Sequence, residues 1–186
     1  HVPALALAAD AVALGLAQVG NLAAARSARL LDESLTGLPA NLAAPDSLSG
    51  GTSGAGLAPL LKVADALAGE LVHAAAPTCL DARGGSNAVE DDSTGSLLAT
   101  RRLAAMLERL RLLVALQLVV AARAVELARP DSLGLGTAGA LEVMSSLVEP
   151  LVADRPLGVD VERVAEQALA SGRLLAAVRG SLGSEA

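Results

Sequence analysis

Leu110-Arg111-Leu112-Leu113-Val114-Ala115-Leu116-Gln117-Leu118-Val119-Val120-Ala121-Ala122-Arg123-Ala124 is the run whose reading decides the fold. It lies inside a segment, residues 94 to 129, that reads as one helix stopped by Pro130. At roughly 1.5 Å per residue such a helix exceeds about 50 Å, more than a small domain needs. The quoted run is apolar almost all round, and a helix of that kind has to be surrounded. The chain has few other helices to surround it, so burial in an oligomer or against a partner segment is expected.

Working outward, residues 3 to 32 read as a long helix with Pro3 in its first turn and Arg26 and Arg29 near its end. Residues 33 to 56 carry Gly37, Pro39, Pro45, Gly50, Gly51, Gly54 and Gly56 and read as one long loop. A second helix is expected over residues 57 to 75, with Pro59 in its first turn and Pro77 as its stop. After Pro130, a short helix is expected over residues 137 to 149. Asp160 reads as the N-cap of a last helix running to Gly172 or Gly180. No internal repeat is present.

Composition agrees with an all-α protein. Hydrophobic residues make up 53 % of the 186 and charged residues 18 %, with a mean hydropathy of +0.52. Phe, Tyr, Trp and Ile are absent, so Ala, Leu and Val carry the apolar load, and the first two favour helix. The net charge of −6 and the lack of aromatic stacking platforms exclude nucleic acid as a partner. A bilayer span needs about 20 consecutive apolar residues. The longest candidates are broken by Asp10 and by Gln117, so no membrane partner is expected. A lone Cys79 excludes an internal disulfide or a thiolate zinc cluster and suits a cytoplasmic setting. The sequence opens on His1 rather than Met and shows no signal-peptide layout, from which a processed, cut or fragmentary chain is expected.

Chemistry concentrates in one polar island, Gly84-Gly85-Ser86-Asn87-Ala88-Val89-Glu90-Asp91-Asp92-Ser93-Thr94-Gly95. Ser93 or Thr94 is expected to cap the long helix, with the three acids against its positive end. A solvated acidic cap and a functional carboxylate are both open on spacing alone. Other signals weigh less. Gly134-Leu135-Gly136-Thr137-Ala138-Gly139 matches the dinucleotide fingerprint by letter but has no strand before it, and reads as a helix-linking turn. His1 and His73 lack ligand spacing, so no metal site is expected. Cys79 reads as a small buried thiol rather than a nucleophile.

The order of motifs resembles the C-terminal half of the histidine and aromatic amino acid ammonia-lyases. His1-Val2-Pro3 with Ala8-Ala9-Asp10 resembles the family's Asn-Phe-His-Gly-x-Pro segment and its helix. Asn21-Leu22 with Arg26 and Arg29, then Gly37-Leu38-Pro39, resembles the stretch around Ser-Glu-Arg-Arg and the later Leu-Pro. Thr52-Ser53-Gly54 resembles Asn-Ser-Gly, and Asp81 sits where the family has Ser-Val-Asp-Ser. Val89-Glu90-Asp91-Asp92 stands in place of Gln-Glu-Asp-His, Leu133 to Thr137 in place of Leu-Gly-x-Gly-Thr, and Asp154-Arg155-Pro156-Leu157 matches the closing Asp-Arg-Pro-Leu.

This resemblance implies a tetrameric, all-helical core in which long helices share a bundle. It also implies removal of ammonia from an α-amino acid through 4-methylidene-imidazol-5-one, an electrophile made from Ala-Ser-Gly. Glu90 would be the catalytic carboxylate, with His1, Val89 and Asp92 at the substrate, while Asp91 and Asp92 also serve as helix caps. Val89 and Asp92 replace the family's glutamine and histidine, and Ala55 replaces a bulky residue after Ser-Gly. Ala170-Ser171-Gly172 lacks the family's flanking residues and is expected inside a regular helix, where cyclisation has no strained turn to use. The electrophile is therefore expected on a partner chain, an N-terminal lyase half or large subunit, in a homo- or hetero-oligomer. Residues 1 to 186 would form the C-terminal helical region, inactive alone. An aminomutase of the same family and a non-catalytic helical scaffold are the alternatives.

Overall fold

The computed structural model describes residues 2–44, 55–80 and 93–183. Every regular element among them is helical. In chain order these are α1 (Pro3–Leu31), α2 (Glu33–Thr36), a 3-10 turn (Ala40–Leu42), α3 (Ala58–Ala74) and α4 (Ser96–Ala128). After them come α5 (Leu135–Leu147), α6 (Gly158–Val164), a π-helical turn (Ala165–Ala170) and α7 (Arg173–Gly183). The described residues fall into two compact units, one built from His1–Leu22 and Ala66–Leu110, the other from Ala23–Asp65 and Arg111–Ala186.

In the first unit, α1 buries a seam of Ala6, Ala9, Ala13 and Ala17 at helical spacing. Its bulkier residues Leu5, Leu7, Val12 and Leu14 are exposed. Small residues on the covered side and large ones on the open side are the reverse of a self-sufficient core helix. By length and composition α1 could cross a membrane, a test that the core helix of a globular protein also passes. Asp10, buried in the middle of the seam and ion-paired, gives it the character of a packing helix.

In the second unit, the end of α1 closes on Asp32, whose carboxylate accepts from Ser34 N at 2.8 Å and caps α2. Gly37, at φ 68°, ends that helix. Residues 33 to 42 thus carry short helical turns inside the long loop expected over 33 to 56, the first of them capped at both ends by Asp32 and Gly37. Further on, α5 and α7 pack closely: a Cβ on Gly139 would meet Ser181 Oγ and, at 3.1 Å, the carbonyl of Ala177. Asp160 is not an N-cap. It lies inside the first turn of α6, almost fully buried, with Arg155 Nη1 at 2.5 Å and Arg163 Nη1 at 3.5 Å from its two oxygens.

Two expectations about helices change. No residue from 110 to 124 is exposed: each is buried or half-buried within this chain. The apolar run therefore already finds cover here, and the unmet burial lies on α1. The last helix passes through a π turn and stops at Gly172, the nearer of its two expected ends, where Gly172 takes φ 73°, so Ala170-Ser171-Gly172 lies at a break rather than inside a regular helix.

Candidate active site

The residues singled out from sequence as the site, His1, Val89, Glu90 and Asp92, lie outside the described residues, as do Asp81, Asp91 and Thr52-Ser53-Gly54. What the structure does fix is how the chain enters and leaves the segment that carries Glu90. The entry is Thr78-Cys79, and its backbone is held by Asp10 of α1. Thr78 N donates to Asp10 Oδ2 at 2.8 Å, Cys79 N to the same oxygen at 2.8 Å, and Thr78 Oγ1 to Oδ1 at 2.9 Å. Arg102 Nη2 of α4 completes the set at 3.1 Å from Oδ1.

Burial opposes the charge on Asp10, but hydrogen bonds from the Cys79 amide and thiol and from Thr78 outweigh it and hold the carboxyl below its ordinary value. The same contact works the other way on the thiol. Its hydrogen bond to Asp10, then burial, then the negative charge of Asp10 raise Cys79 above the usual thiol range. A thiol kept protonated is a poor nucleophile, which agrees with the reading of Cys79 as no nucleophile, although it is half-buried rather than buried as expected.

The exit is Gly95, at φ 67°, where a Cβ would lie 3.1 Å from the Thr78 carbonyl. Gly95 O accepts from Ala99 N at 2.9 Å, so the glycine itself begins α4. Neither expected cap does so. Ser93 Oγ reaches only Gly95 N, at 3.5 Å, and Thr94 Oγ1 turns to Ser96 Oγ at 3.2 Å. The first turn of α4 contains no acid. A cleft of about 310 Å³ opens at these flanks, with Thr78, Ser93, Ser96 and Arg101 in its wall.

The second unit holds a matching closure. Asn41 O accepts from Leu57 N at 2.9 Å, and a Cβ on Gly56, at φ 51°, would fall 2.5 Å from Asn41 O and 2.9 Å from Ala43 N. Asp154, from the Asp-Arg-Pro-Leu motif, accepts from Ala55 N at 2.7 Å and Gly56 N at 3.1 Å. Arg123 fixes the other strand of this closure, donating from Nε to Leu42 O at 3.3 Å while pairing with Glu126 at 2.9 Å. Each closure thus joins a left-handed glycine, where a Cβ would be strained and would crowd the facing backbone, to a carboxylate that collects two backbone amides. This unit's own cleft, about 400 Å³, has mostly apolar walls including Val119, Met144 and Leu157. The dinucleotide-like glycines are the start of α5, not a linking turn, and Gly139 serves the contact with α7.

A family model described as aromatic amino acid lyase matches residues 1–146. The chain belongs to that family. It is 33% identical over 183 residues to a histidine ammonia-lyase of Symbiobacterium thermophilum, an alignment covering 98% of this chain and 35% of the relative. Its fold matches histidine ammonia-lyase from Trypanosoma cruzi with a TM-score of 0.86 at 26% identity, over 97% of this chain and 34% of that one. It matches tyrosine aminomutase from Streptomyces globisporus with a TM-score of 0.88 at 30% identity, again over 97% and 34%. This lyase-family chain therefore spans about a third of the length of the relatives it matches.

Asp10, Thr78 and Arg102 were not singled out from the sequence as functional residues. One signal pointed to Asp10: an acid in the middle of an Ala-rich helical seam has to find partners. Nothing local says that those partners are Thr78, Cys79 and Arg102.

Proposed function

We propose that this chain is the C-terminal helical part of a carbon–nitrogen lyase. The lyase would remove ammonia from a histidine-like or aromatic α-amino acid and leave an α,β-unsaturated acid. The observation that carries the reading is the family match over residues 1–146, in a chain that spans 35% of a histidine ammonia-lyase. In this reading Glu90 holds the substrate ammonium by a charge-assisted contact and accepts its proton, with His1, Val89 and Asp92 beside the substrate. The setting is cytoplasmic, which the single cysteine supports.

The electrophile expected of the family, 4-methylidene-imidazol-5-one, belongs on another polypeptide in this reading. Ala170-Ser171-Gly172 does not fit as its source. The tripeptide sits at a helix break rather than in the regular helix expected, yet its amides are engaged. Ser171 N donates to Glu166 O and Gly172 N to Leu169 O, both at 3.1 Å. Ser171 Oγ donates to Gln167 O at 2.7 Å and accepts from Arg173 N. The glycine nitrogen that would have to attack the alanine carbonyl is thus spent on helix geometry.

Co-expression with an electrophile-bearing N-terminal lyase portion tests the reading. The expected result is a large assembly that releases ammonia, with Glu90→Ala lowering turnover by about 100-fold or more. Turnover untouched by Glu90→Ala would make this chain a helical scaffold. The likeness to tyrosine aminomutase keeps a second reading, in which the amine is added back. A β-amino acid product in place of free ammonia would decide for it.

A further inference from the structure

We propose that the cleft of about 400 Å³ in the second unit is a binding site for a monocarboxylic acid with an apolar body, its carboxylate taken by the Arg123 guanidinium. Arg123 lies in the wall of that cleft, and its side chain is only 7% exposed. Two of its three nitrogens are engaged. Nε donates to Leu42 O at 3.3 Å, and Nη1 pairs with Glu126 at 2.9 Å. Nη2 is buried and has no partner among the described residues. A buried donor on a charged group is unfavourable when left unmet, and a ligand that brings an acceptor removes that cost.

The rest of the wall selects the kind of ligand. Val119, Leu141, Met144 and Leu157 give it apolar surface. The volume falls within the range of about 300–1,000 Å³ usual for small-molecule sites. Glu126, Arg129 and Glu149 also line the cleft, but all three are exposed and screened by water. Arg123 is therefore the one buried charge in this wall. A phosphate or sulfate dianion would set its charge against aliphatic side chains. A single carboxylate meets Nη2 by a charge-assisted hydrogen bond and lets an alkyl or aryl body cover the apolar surface. Held at Nε and Nη1, the guanidinium is fixed before the ligand arrives, which lowers the ordering cost of binding. The site uses residues of the second unit alone and is independent of Glu90 and of the lyase reading.

The test is a calorimetric titration of the purified 186-residue chain with octanoate. Saturable one-to-one binding is expected, with octylamine, of the same length and opposite charge, about tenfold weaker or more. Arg123→Met keeps the bulk, removes the donors and should weaken octanoate by about tenfold or more. Ser145→Trp, at an exposed position of the cleft wall, leaves Arg123 in place and should abolish binding by filling the space. Leu14→Ser, on the exposed face of α1, should bind as the parent does and controls for adsorption to apolar surface. Thermal melts establish that each variant is folded, and Ser145→Trp decides if Arg123→Met is not. Octylamine binding as tightly as octanoate, or no saturable binding at all, would overturn the proposal. So would parent-like affinity in Ser145→Trp or in folded Arg123→Met, or an equal loss in Leu14→Ser.

Discussion

Asp10 and Cys79 titrate in opposite directions because they share one contact. The carboxyl of Asp10 is lowered from 3.8 in the fold, so the stability it contributes is fully present above that value. It is lost as pH falls below 3.8 and through the lowered folded value. Urea unfolding of the parent and Asp10→Asn between pH 2.5 and 6 should therefore show a steeper acid loss in the parent. Equal slopes would mean that Asp10 is not held as described. The thiol of Cys79 is raised from 9.0, so its contribution is present below pH 9 and lost as pH rises through the raised value. Alkylation by iodoacetamide at pH 8.5 should be several-fold slower than for a free thiol and should speed up in Asp10→Asn. An acceleration in Asp154→Asn instead would place the cause elsewhere.

At the scale of elements, the helices are placed by a few points where only one residue type serves. Gly56 is the sharpest of them: alanine there has an unfavourable φ and runs into the backbone of Asn41 and Ala43. Gly56→Ala should cost about 2–3 kcal/mol in a thermal or denaturant melt, and a neutral result would show that the 40–44 turn can move aside. Gly139→Ala meets Ser181 Oγ, a side-chain atom, and the Ala177 carbonyl, which cannot step away. About 1–2 kcal/mol should be lost, with only part of it recovered by adding Ser181→Ala. In α6, Asp160→Ala leaves Arg155 and Arg163 without their shared carboxylate. Both arginines keep about a third of their exposure, so the loss should be about 2 kcal/mol, below that of a fully buried pair.

For the whole molecule, the feature that matters is the outward face of α1, where Leu7 and Leu14 are more than half exposed while alanines are covered. Apolar surface of that extent is a recognition surface or a liability for association. Light scattering on the purified chain should therefore report species larger than a monomer at micromolar concentration. A stable, dispersed monomer would count against the assembly proposed here.

Much of this protein was legible in the sequence because it depends on near neighbours. Residues 3–32, 57–75 and 94–129 declared themselves helical through Ala and Leu content and through prolines at their ends, and the order of short motifs carried the family. Glu90 was reached by motif order alone and lies outside the described residues. The closures were not legible. Asp10 finds Thr78 and Arg102 at separations of 68 and 92 residues, and Asp154 finds Ala55 at 99. The cover over residues 110–124 belongs to the same class. A period or a cap is a property of a few consecutive residues, so sequence determines it. A partner for a buried charge is a property of which helices meet, and that was settled only when the chain packed.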